Sequence, residues 1–251
     1  DEGAYADLAR AQVRQGQHRQ AIASYEAALR INPADTQLHE ELAETWMRLG
    51  QWRNALAVID RVLQLDPTRL SALIRRAECF MQLRQFPQAI HDFERVLAAD
   101  PSQTTSRFNL ASLYLASDRL ADAAAQYRLV LERMPDAADV HMQLGKVLPL
   151  IGQPREAIQH LEQVLTLQSD HPEAMMRLSW LLSTQPDAAI RDGERAAQLA
   201  MQICEKQSYR HPLGLDALAA ALAELGRFEE ALQWARQAEQ ILRVHDVREV
   251  R

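Results

Sequence analysis

Cysteines, glycines and long apolar runs are all scarce in this chain of 251 residues. The two cysteines, Cys79 and Cys204, lie far apart in apolar stretches with helical periodicity, so we predict two buried, unpaired thiols rather than a disulfide. Only eight glycines are present, and they form no glycine-rich phosphate loop. No apolar run approaches the roughly 18 residues that suggest a membrane span, so direct membrane insertion of this segment is not expected.

Neither basic nor acidic residues are concentrated in one stretch of the sequence. The chain has 28 basic and 34 acidic residues and a net charge of −6, and residues 212–251 hold five basic and seven acidic residues. Nucleic-acid binding is therefore not expected, because no basic surface is available to neutralise phosphates. Lys146 and Lys206 are the only lysines. This strong preference for arginine is typical of a GC-rich genome and favours a bacterial source.

Catalytic and metal-binding motifs are also missing from the sequence. The eight histidines are scattered, and no His-x-x-x-His or Cys-x-x-Cys pair is present to hold a metal. No catalytic constellation of nucleophile, base and carboxylate stands out. We therefore predict no catalytic residue, no metal site and no cofactor, and we expect that this chain is not an enzyme.

What the sequence has instead is a period of 34 residues. Pro33, Pro67, Pro101 and Pro135 are each separated by 34 positions. A fixed period of this length is typical of helix–turn–helix repeats, in which each unit buries its apolar face only by stacking on its neighbours. Proline disfavours helical geometry in the residue before it, so each of these prolines is predicted to stop a second helix.

Alignment on the prolines reveals two columns of small residues, one in each helix of the repeat. Small side chains let two helices approach closely, so the columns are predicted to mark the contact between them. The first-helix column contains Ala9, Ala43, Ala77, Ala111, Gly145, Ser179 and Ala219, and the second-helix column contains Ala21, Ala55, Ala89, Ala123, Ala157, Ala196 and Ala231. The apolar stripe beside the first column includes Leu8, Leu42, Leu110, Leu144, Leu178 and Leu218. Glycines predicted to end first helices are Gly16, Gly50, Gly152 and Gly226.

These columns make the chain resemble a tetratricopeptide repeat protein, most clearly in the spacing of Trp46, Gly50, Ala55 and Pro67. The resemblance covers about residues 2–245. It implies an all-α, right-handed α-solenoid of about seven helix–turn–helix repeats with a concave groove. We expect one solenoid domain over residues 1–251, with repeats at about 2–35, 36–69, 70–103, 104–137, 138–171, 172–211 and 212–245.

Two repeats depart from the pattern. The fifth has Ser169 in place of the proline and carries Pro149 inside its first helix, where a kink near Gly145 is expected. The sixth is enlarged, and its extra residues fall mostly at 183–187, between its two helices. A longer loop of this kind is tolerated at little cost in closure entropy.

The resemblance also implies which residues line the groove, because in this family they lie on one face of the first helices. The N-terminal part is expected to be charged with mixed sign, and the stretch from Met47 to Trp180 to be rich in Met, Phe, Leu and Trp. The same side chains are also compatible with packing against the next repeat. By register the groove residues are Arg10, Arg14, Glu40, Glu44, Met47, Arg48, Ile74, Glu78, Met81, Phe108, Asn109, Ser112, Leu115, Met142, Lys146, Met176 and Trp180.

Two functions are compatible with these features. The first is a non-catalytic protein–protein interaction scaffold that binds a peptide or protein segment in its groove. The alternative is a regulatory or targeting arm of a larger membrane or envelope enzyme, of a secretion system or of a glycosyltransferase system. The last helix is predicted to meet an adjoining domain or a second copy through Trp234, Ile241, Leu242, Val244 and Val247. The bacterial cytoplasm and the periplasm both stay open as locations.

Overall fold

The computed structural model describes residues 1–206 and 211–249, with side chains described as far as residue 243. Within these residues the regular structure is helical and contains no strand, which confirms the predicted all-α fold class. The contacts divide the chain into two compact units, Asp1–Gln126 and Tyr127–Arg251.

The first unit is a succession of helices, and over residues 2–116 each helix packs against the next. Two hydrophobic clusters lie between residues 6 and 96, one with Ile59, Val62 and Leu73 among its buried members and the other with Tyr25 and Leu42. The helices are α1 (Glu2–Arg14), α2 (His18–Ile31), α3 (Thr36–Arg48), α4 (Trp52–Leu65), α5 (Leu70–Gln82), α6 (Phe86–Ala99) and α7 (Thr104–Ala116), followed by α8 (Leu120–Leu131), which begins in this unit.

The second unit continues the pattern with longer connections. Its helices are α9 (Ala138–Val147), α10 (Pro154–Leu167), α11 (Pro172–Thr184), α12 (Gly193–Lys206), α13 (Pro212–Glu224) and α14 (Phe228–Glu249). Besides the contacts between successive helices, α9 contacts α11, and α11 contacts α13. The first helices of the last three repeats therefore lie side by side.

The predicted packing columns are buried throughout, and one position beside them is not. All members of the two small-residue columns are buried. The leucine stripe is buried from Leu42 onwards, but the prediction for Leu8 is wrong, since this side chain is exposed. Leu42 packs with Tyr25 and Ala28 of the repeat before it. No earlier helix lies against α1 in the described part of the chain, so Leu8 has no equivalent cover.

The turns at the first three prolines are closed by the residue before each proline. The side chains of Asn32, Asp66 and Asp100 accept a hydrogen bond from the backbone N–H two residues later, at 3.3, 3.0 and 2.9 Å. Short Asn and Asp side chains favour such turns because they imitate a backbone turn. The predicted breaks after α2, α4 and α6 are confirmed.

The residue that ends a first helix has positive φ in six repeats. Four of these residues are the predicted glycines, at φ of 75°, 69°, 76° and 74° for Gly16, Gly50, Gly152 and Gly226. Arg84 and Asp118 adopt the same conformation at 57° and 58°. Non-glycine residues are strained there by contact between Cβ and the backbone.

Replacement of Arg84 by glycine is expected to raise the free energy of unfolding by about 1 kcal/mol, because relief of left-handed strain outweighs the added entropy of the unfolded chain. Asp118→Gly should gain less, since aspartate tolerates this conformation better. Urea denaturation followed by circular dichroism measures both. Arg84→Ala is the control, because it removes the side chain and keeps the Cβ; an equal gain from this variant would contradict the explanation.

Pro149 ends α9 instead of kinking it, so the predicted kink near Gly145 is wrong. The α-helix stops at Val147, and residues Leu148–Ile151 form a 3-10 turn that ends at Gly152. Proline has no N–H to donate and its ring clashes with the preceding turn of an α-helix. At the start of a new helical segment the N–H is not needed for a hydrogen bond and no preceding turn is present to clash with the ring.

Both cysteines are free and buried, as predicted. Burial raises the pKa of the Cys79 thiol to about 12 and that of the Cys204 thiol to about 11. At neutral pH both are therefore protonated packing groups of low reactivity.

Candidate functional site

In the first unit, Arg10 and Glu44, which are predicted to line the groove, form ion pairs with neighbouring first helices. The Arg10 guanidinium on α1 donates to Glu41 on α3 at 2.9 Å, and Arg75 on α5 donates to Glu44 on α3 at 3.0 Å. Hydrogen bonding from Arg48, aided by Arg75, holds the pKa of Glu44 below its usual value. These charges link successive first helices, so a ligand would meet side chains that already have partners.

Two predicted groove residues are inaccessible, and their assignment as contact residues is wrong. Glu40 is 6% exposed, accepts a hydrogen bond from Ser71 at 2.8 Å and pairs with Arg69. Met142 is 5% exposed. It lies on α9, which is buried on most of its circumference, so the face predicted for the groove is buried as well.

The other predicted residues of the first unit are at least partly accessible. Arg14 and Arg48 are exposed, while Met47 and Ile74 also pack against a hydrophobic cluster. Burial raises the pKa of Glu78 above its usual value. The remaining half-buried positions are Arg10, Glu44, Met81, Phe108, Asn109, Ser112 and Leu115.

In the second unit, three predicted groove residues line one cavity. Lys146, Met176 and Trp180 face a space of about 440 Å³ between α9 with its 3-10 turn, α11 and α13. We refer to it as the α11 pocket. The lining is completed by Gly145, Pro149, Leu150, Arg177, Leu181, Gln185, Leu213 and Asp216.

The pocket exists because two repeats depart from the regular pattern. Since α9 ends early, Leu150 lies on the 3-10 turn and not on a continued helix. On the other side, Gln185 begins the long linker of the sixth repeat. Arg191 holds this linker in place, because it donates to the Gln185 carbonyl at 2.9 Å and to Glu224 on α13 at 2.8 Å.

Three large apolar side chains on the pocket wall are exposed to solvent. Leu150 is 68% exposed, Trp180 49% and Leu213 53%. They come from three successive repeats and lie on one cavity. Single exposed apolar residues are common, but a group of them on one concave surface is typical of an interaction site.

The charges of the α11 pocket are unequally paired. Lys146 lies 3.0 Å from the Glu173 carboxylate, and Arg177 donates to the same oxygen atom at 3.0 Å. Asp216 has neither an ion pair nor a hydrogen bond through its carboxylate within the described residues. Burial raises the pKa of its carboxyl above the usual value. As far as the described residues go, the pocket is thus mainly apolar, with one unpaired acidic group on the α13 wall.

The sequence contained signals for the pocket residues that the prediction missed. Asp216 occupies the register position of Met142 and Met176, so it continues the predicted groove column into the seventh repeat. Leu213 stands in a column that is polar or glycine in the other six repeats: Gly3, Gln37, Ser71, Thr105, Asp139 and Glu173. The leucine in this otherwise polar column is the sequence signal that could have identified the position. Leu150 has the same register position as Arg14 and Arg48, which were predicted to line the groove. It directly follows Pro149, which interrupts the helix, and it was not included in the prediction.

Two histidines that are separated in sequence meet inside the fifth repeat. The Nδ1 atoms of His141 and His160 are 2.8 Å apart, and His141 Nε2 lies 2.7 Å from the Pro135 carbonyl oxygen. Burial and the neighbouring His141 lower the pKa of His160. The pair is a hydrogen-bonded connection between α9 and α10.

Within the described residues, no group of three or more His, Cys, Asp or Glu side chains is arranged to hold a metal ion. The same part of the chain contains no helix that is both long enough and apolar enough to cross a bilayer.

On α14, Phe228, Leu232 and Leu242 are exposed. Val244 and Val247, predicted for the same apolar surface, lie outside the described side chains.

Comparison with protein families gives one consistent result. Four models described as tetratricopeptide repeat match residues 6–69, 42–108, 80–147 and 212–237. The matches include α9 and α13, which form two walls of the α11 pocket.

Solved structures with the same fold include MamA and YrrB. The crystal structure of MamA is 18% identical, with a TM-score of 0.63 over 67% of this chain and 92% of that chain. MamA 41-end from Desulfovibrio magneticus RS-1 is 20% identical, with a TM-score of 0.63 over 68% and 96%. YrrB, described as a TPR protein with an unusual peptide-binding site, is 18% identical, with a TM-score of 0.62 over 70% and 90%. These similarities show the fold.

One curated relative is named as a methyltransferase. The probable biofilm formation methyltransferase WspC of Pseudomonas putida is 35% identical over 88 residues, which is 32% of this chain. The matched segment is 21% of the length of that relative.

Proposed function

Since the chain belongs to the tetratricopeptide repeat family, we propose that it is a non-catalytic module that binds a segment of a partner protein in the α11 pocket. The observation that carries this proposal is the group of exposed apolar side chains, Leu150, Trp180 and Leu213, around one cavity. Burial of such side chains by a partner is favourable by about 25 cal/mol for each Å² of apolar surface removed from water.

The shape of the pocket favours a protein segment as the occupant. Its walls are the first helices of three successive repeats, which is the face implied for ligand binding by the family resemblance. A cavity of about 440 Å³ accommodates a few large side chains. Helices and extended segments commonly bind in this way, with two or three apolar anchors in a groove.

The combined substitution of Leu150→Glu and Trp180→Glu is expected to weaken partner capture at least about tenfold, since anchor residues of this size contribute more than about 1 kcal/mol each. The measurement is quantitative mass spectrometry of proteins retained by the immobilised chain from a lysate of its source cell. Both side chains are exposed, so the circular dichroism spectrum and thermal transition should be unchanged.

The matched control is Met134→Glu, which places the same charge on another exposed apolar residue outside the pocket. It should retain the wild-type set of partners. Identical capture by the pocket variant and the control would contradict the proposed site. Met142 is unsuitable for this test, because a charge at a buried position disturbs folding.

A second candidate function is favoured by the match to part of a methyltransferase. In this case the chain is a regulatory or targeting arm of a larger enzyme, and the exposed Phe228 and Leu232 of α14 meet the adjoining domain. The complete reading frame that contains the chain decides the matter. A frame without a catalytic domain would exclude this candidate and leave a second copy as the occupant proposed for α14.

A further inference from the structure

The α11 pocket contains a carboxylate that its apolar surroundings do not explain. Asp216 lies three residues after Leu213 on α13, and positions three apart share one face of a helix. Its side chain therefore faces the same cavity as the exposed Leu213 and Trp180. Within the described residues it has no ion pair, and burial already raises the pKa of its carboxyl.

A bound apolar segment would remove more water from this carboxylate. It costs free energy to remove water from a charged group that gains no new partner. A purely apolar occupant would therefore destabilise the Asp216 carboxylate relative to the free protein. An occupant that brings a positive charge replaces the lost water with a charge-assisted hydrogen bond.

The basic groups of the pocket do not offer an equivalent site for an acidic partner. Lys146 and Arg177 both contact Glu173, so an incoming carboxylate would have to compete with one that is already present. A basic side chain meets no such competitor at Asp216. The exposed indole of Trp180 also favours a cation, because the face of an aromatic ring attracts positive charge.

We propose that the α11 pocket selects a protein segment in which an arginine or lysine lies close to a large apolar residue. The apolar side chain packs on Leu150 and Trp180, and the basic group pairs with Asp216. This inference rests on the proposed function and adds the chemistry of the partner to it.

The test is a selection of peptides from a displayed library of random dodecapeptides on the full chain. Enriched peptides are then synthesised in two forms, one with arginine and one with citrulline, its neutral analogue, in the same position. Their dissociation constants are measured for the wild type, Asp216→Asn and Leu150→Glu. Glu229→Gln is the matched control, because Glu229 is an exposed carboxylate that does not line the pocket.

We expect enriched peptides to carry a basic residue within one helical turn of Leu, Phe or Trp. Asp216→Asn should weaken the arginine form about 10- to 100-fold, the range for a hydrogen bond between charged groups. The citrulline form should be weaker by a similar factor and insensitive to Asp216→Asn. Glu229→Gln should bind both forms like the wild type.

Two results would overturn the inference, and they differ in what they say about the proposed function. Peptides that depend on Leu150 but carry no basic residue, or that bind Asp216→Asn with wild-type affinity, refute the charge preference and leave the pocket as a binding site. Peptides that are unaffected by Leu150→Glu, or a library without enrichment, refute the pocket itself. The citrulline comparison is independent of any protein variant, so it holds even if a substitution alters folding.

Discussion

Arg76→Leu is expected to lower the free energy of unfolding by about 3–5 kcal/mol, although leucine occupies this position in all six other repeats. The Arg76 guanidinium donates to both carboxylate oxygens of Asp92, at 2.7 and 2.8 Å, and Asp92 is only 1% exposed. Removal of the arginine leaves this carboxylate buried without its bidentate partner. Arg95 lies 4.0 Å from one oxygen of Asp92, too far to replace the two hydrogen bonds from Arg76. The desolvation of a carboxylate that has lost its close partner is the reason for the large effect.

The second substitution Asp92→Val should restore most of the lost stability. Valine is the natural residue at the equivalent position of the second repeat, Val58. Replacement of both members of a buried ion pair by apolar residues of similar size is often neutral or stabilising. We therefore expect the double variant to unfold within about 1 kcal/mol of the wild type, in contrast to either single variant.

Urea denaturation measures the total effect, and hydrogen exchange at the amides of α5 and α6 shows where it occurs. In a stacked repeat protein a local defect mainly lowers the protection of its own and neighbouring repeats. Arg227→Leu is the control, since Arg227 pairs with Glu230 on the surface, and its denaturation curve should stay close to that of the wild type. A single variant no worse than this control would refute the buried-charge explanation.

The fold was largely predictable because its determinants are periodic. Three features repeat with the unit: the alanine columns, the residues before the prolines and the glycines that end first helices. For this reason the sequence alone identified the helix pairs and their contact faces. The pair of Arg76 and Asp92 was not predictable in this way. Each replaces an apolar or neutral residue in its own column, and only the packing of α5 on α6 shows that the two replacements compensate each other.

The candidate site was predicted in part, and the reasons for the errors are physical. Lys146, Met176 and Trp180 were placed correctly on one face, because register arithmetic holds while helices are regular. The prediction omitted Leu150, which keeps the register of Arg14 and Arg48 and lines the pocket from the 3-10 turn that follows α9. Register also says nothing about depth: Glu40 and Met142 share the register of the half-buried Ile74, Phe108 and Met176, but both are buried.

Leu161→Ala is expected to lower the free energy of unfolding by about 3–5 kcal/mol, because Leu161 on α10 is fully buried and leaves a cavity when truncated. The site of that cavity makes a stronger prediction possible. A Cβ atom built on Gly145 of α9 would lie 2.5 Å from Leu161 Cδ2 and 2.7 Å from Cγ. Gly145→Ala alone should therefore cost about 1–3 kcal/mol through overpacking against Leu161.

In the Leu161→Ala background, the effect of Gly145→Ala should change sign. The clashing atoms are absent, the new methyl group fills part of the cavity, and alanine favours the helix over glycine by about 1 kcal/mol. We expect the double variant to be more stable than Leu161→Ala alone in urea denaturation. Gly3→Ala is the control, since a Cβ atom built on Gly3 meets nothing closer than 3.5 Å. Its effect on the free energy of unfolding should be the same in both backgrounds. If Gly145→Ala destabilised both backgrounds equally, contact with Leu161 would not be the reason for glycine at this position.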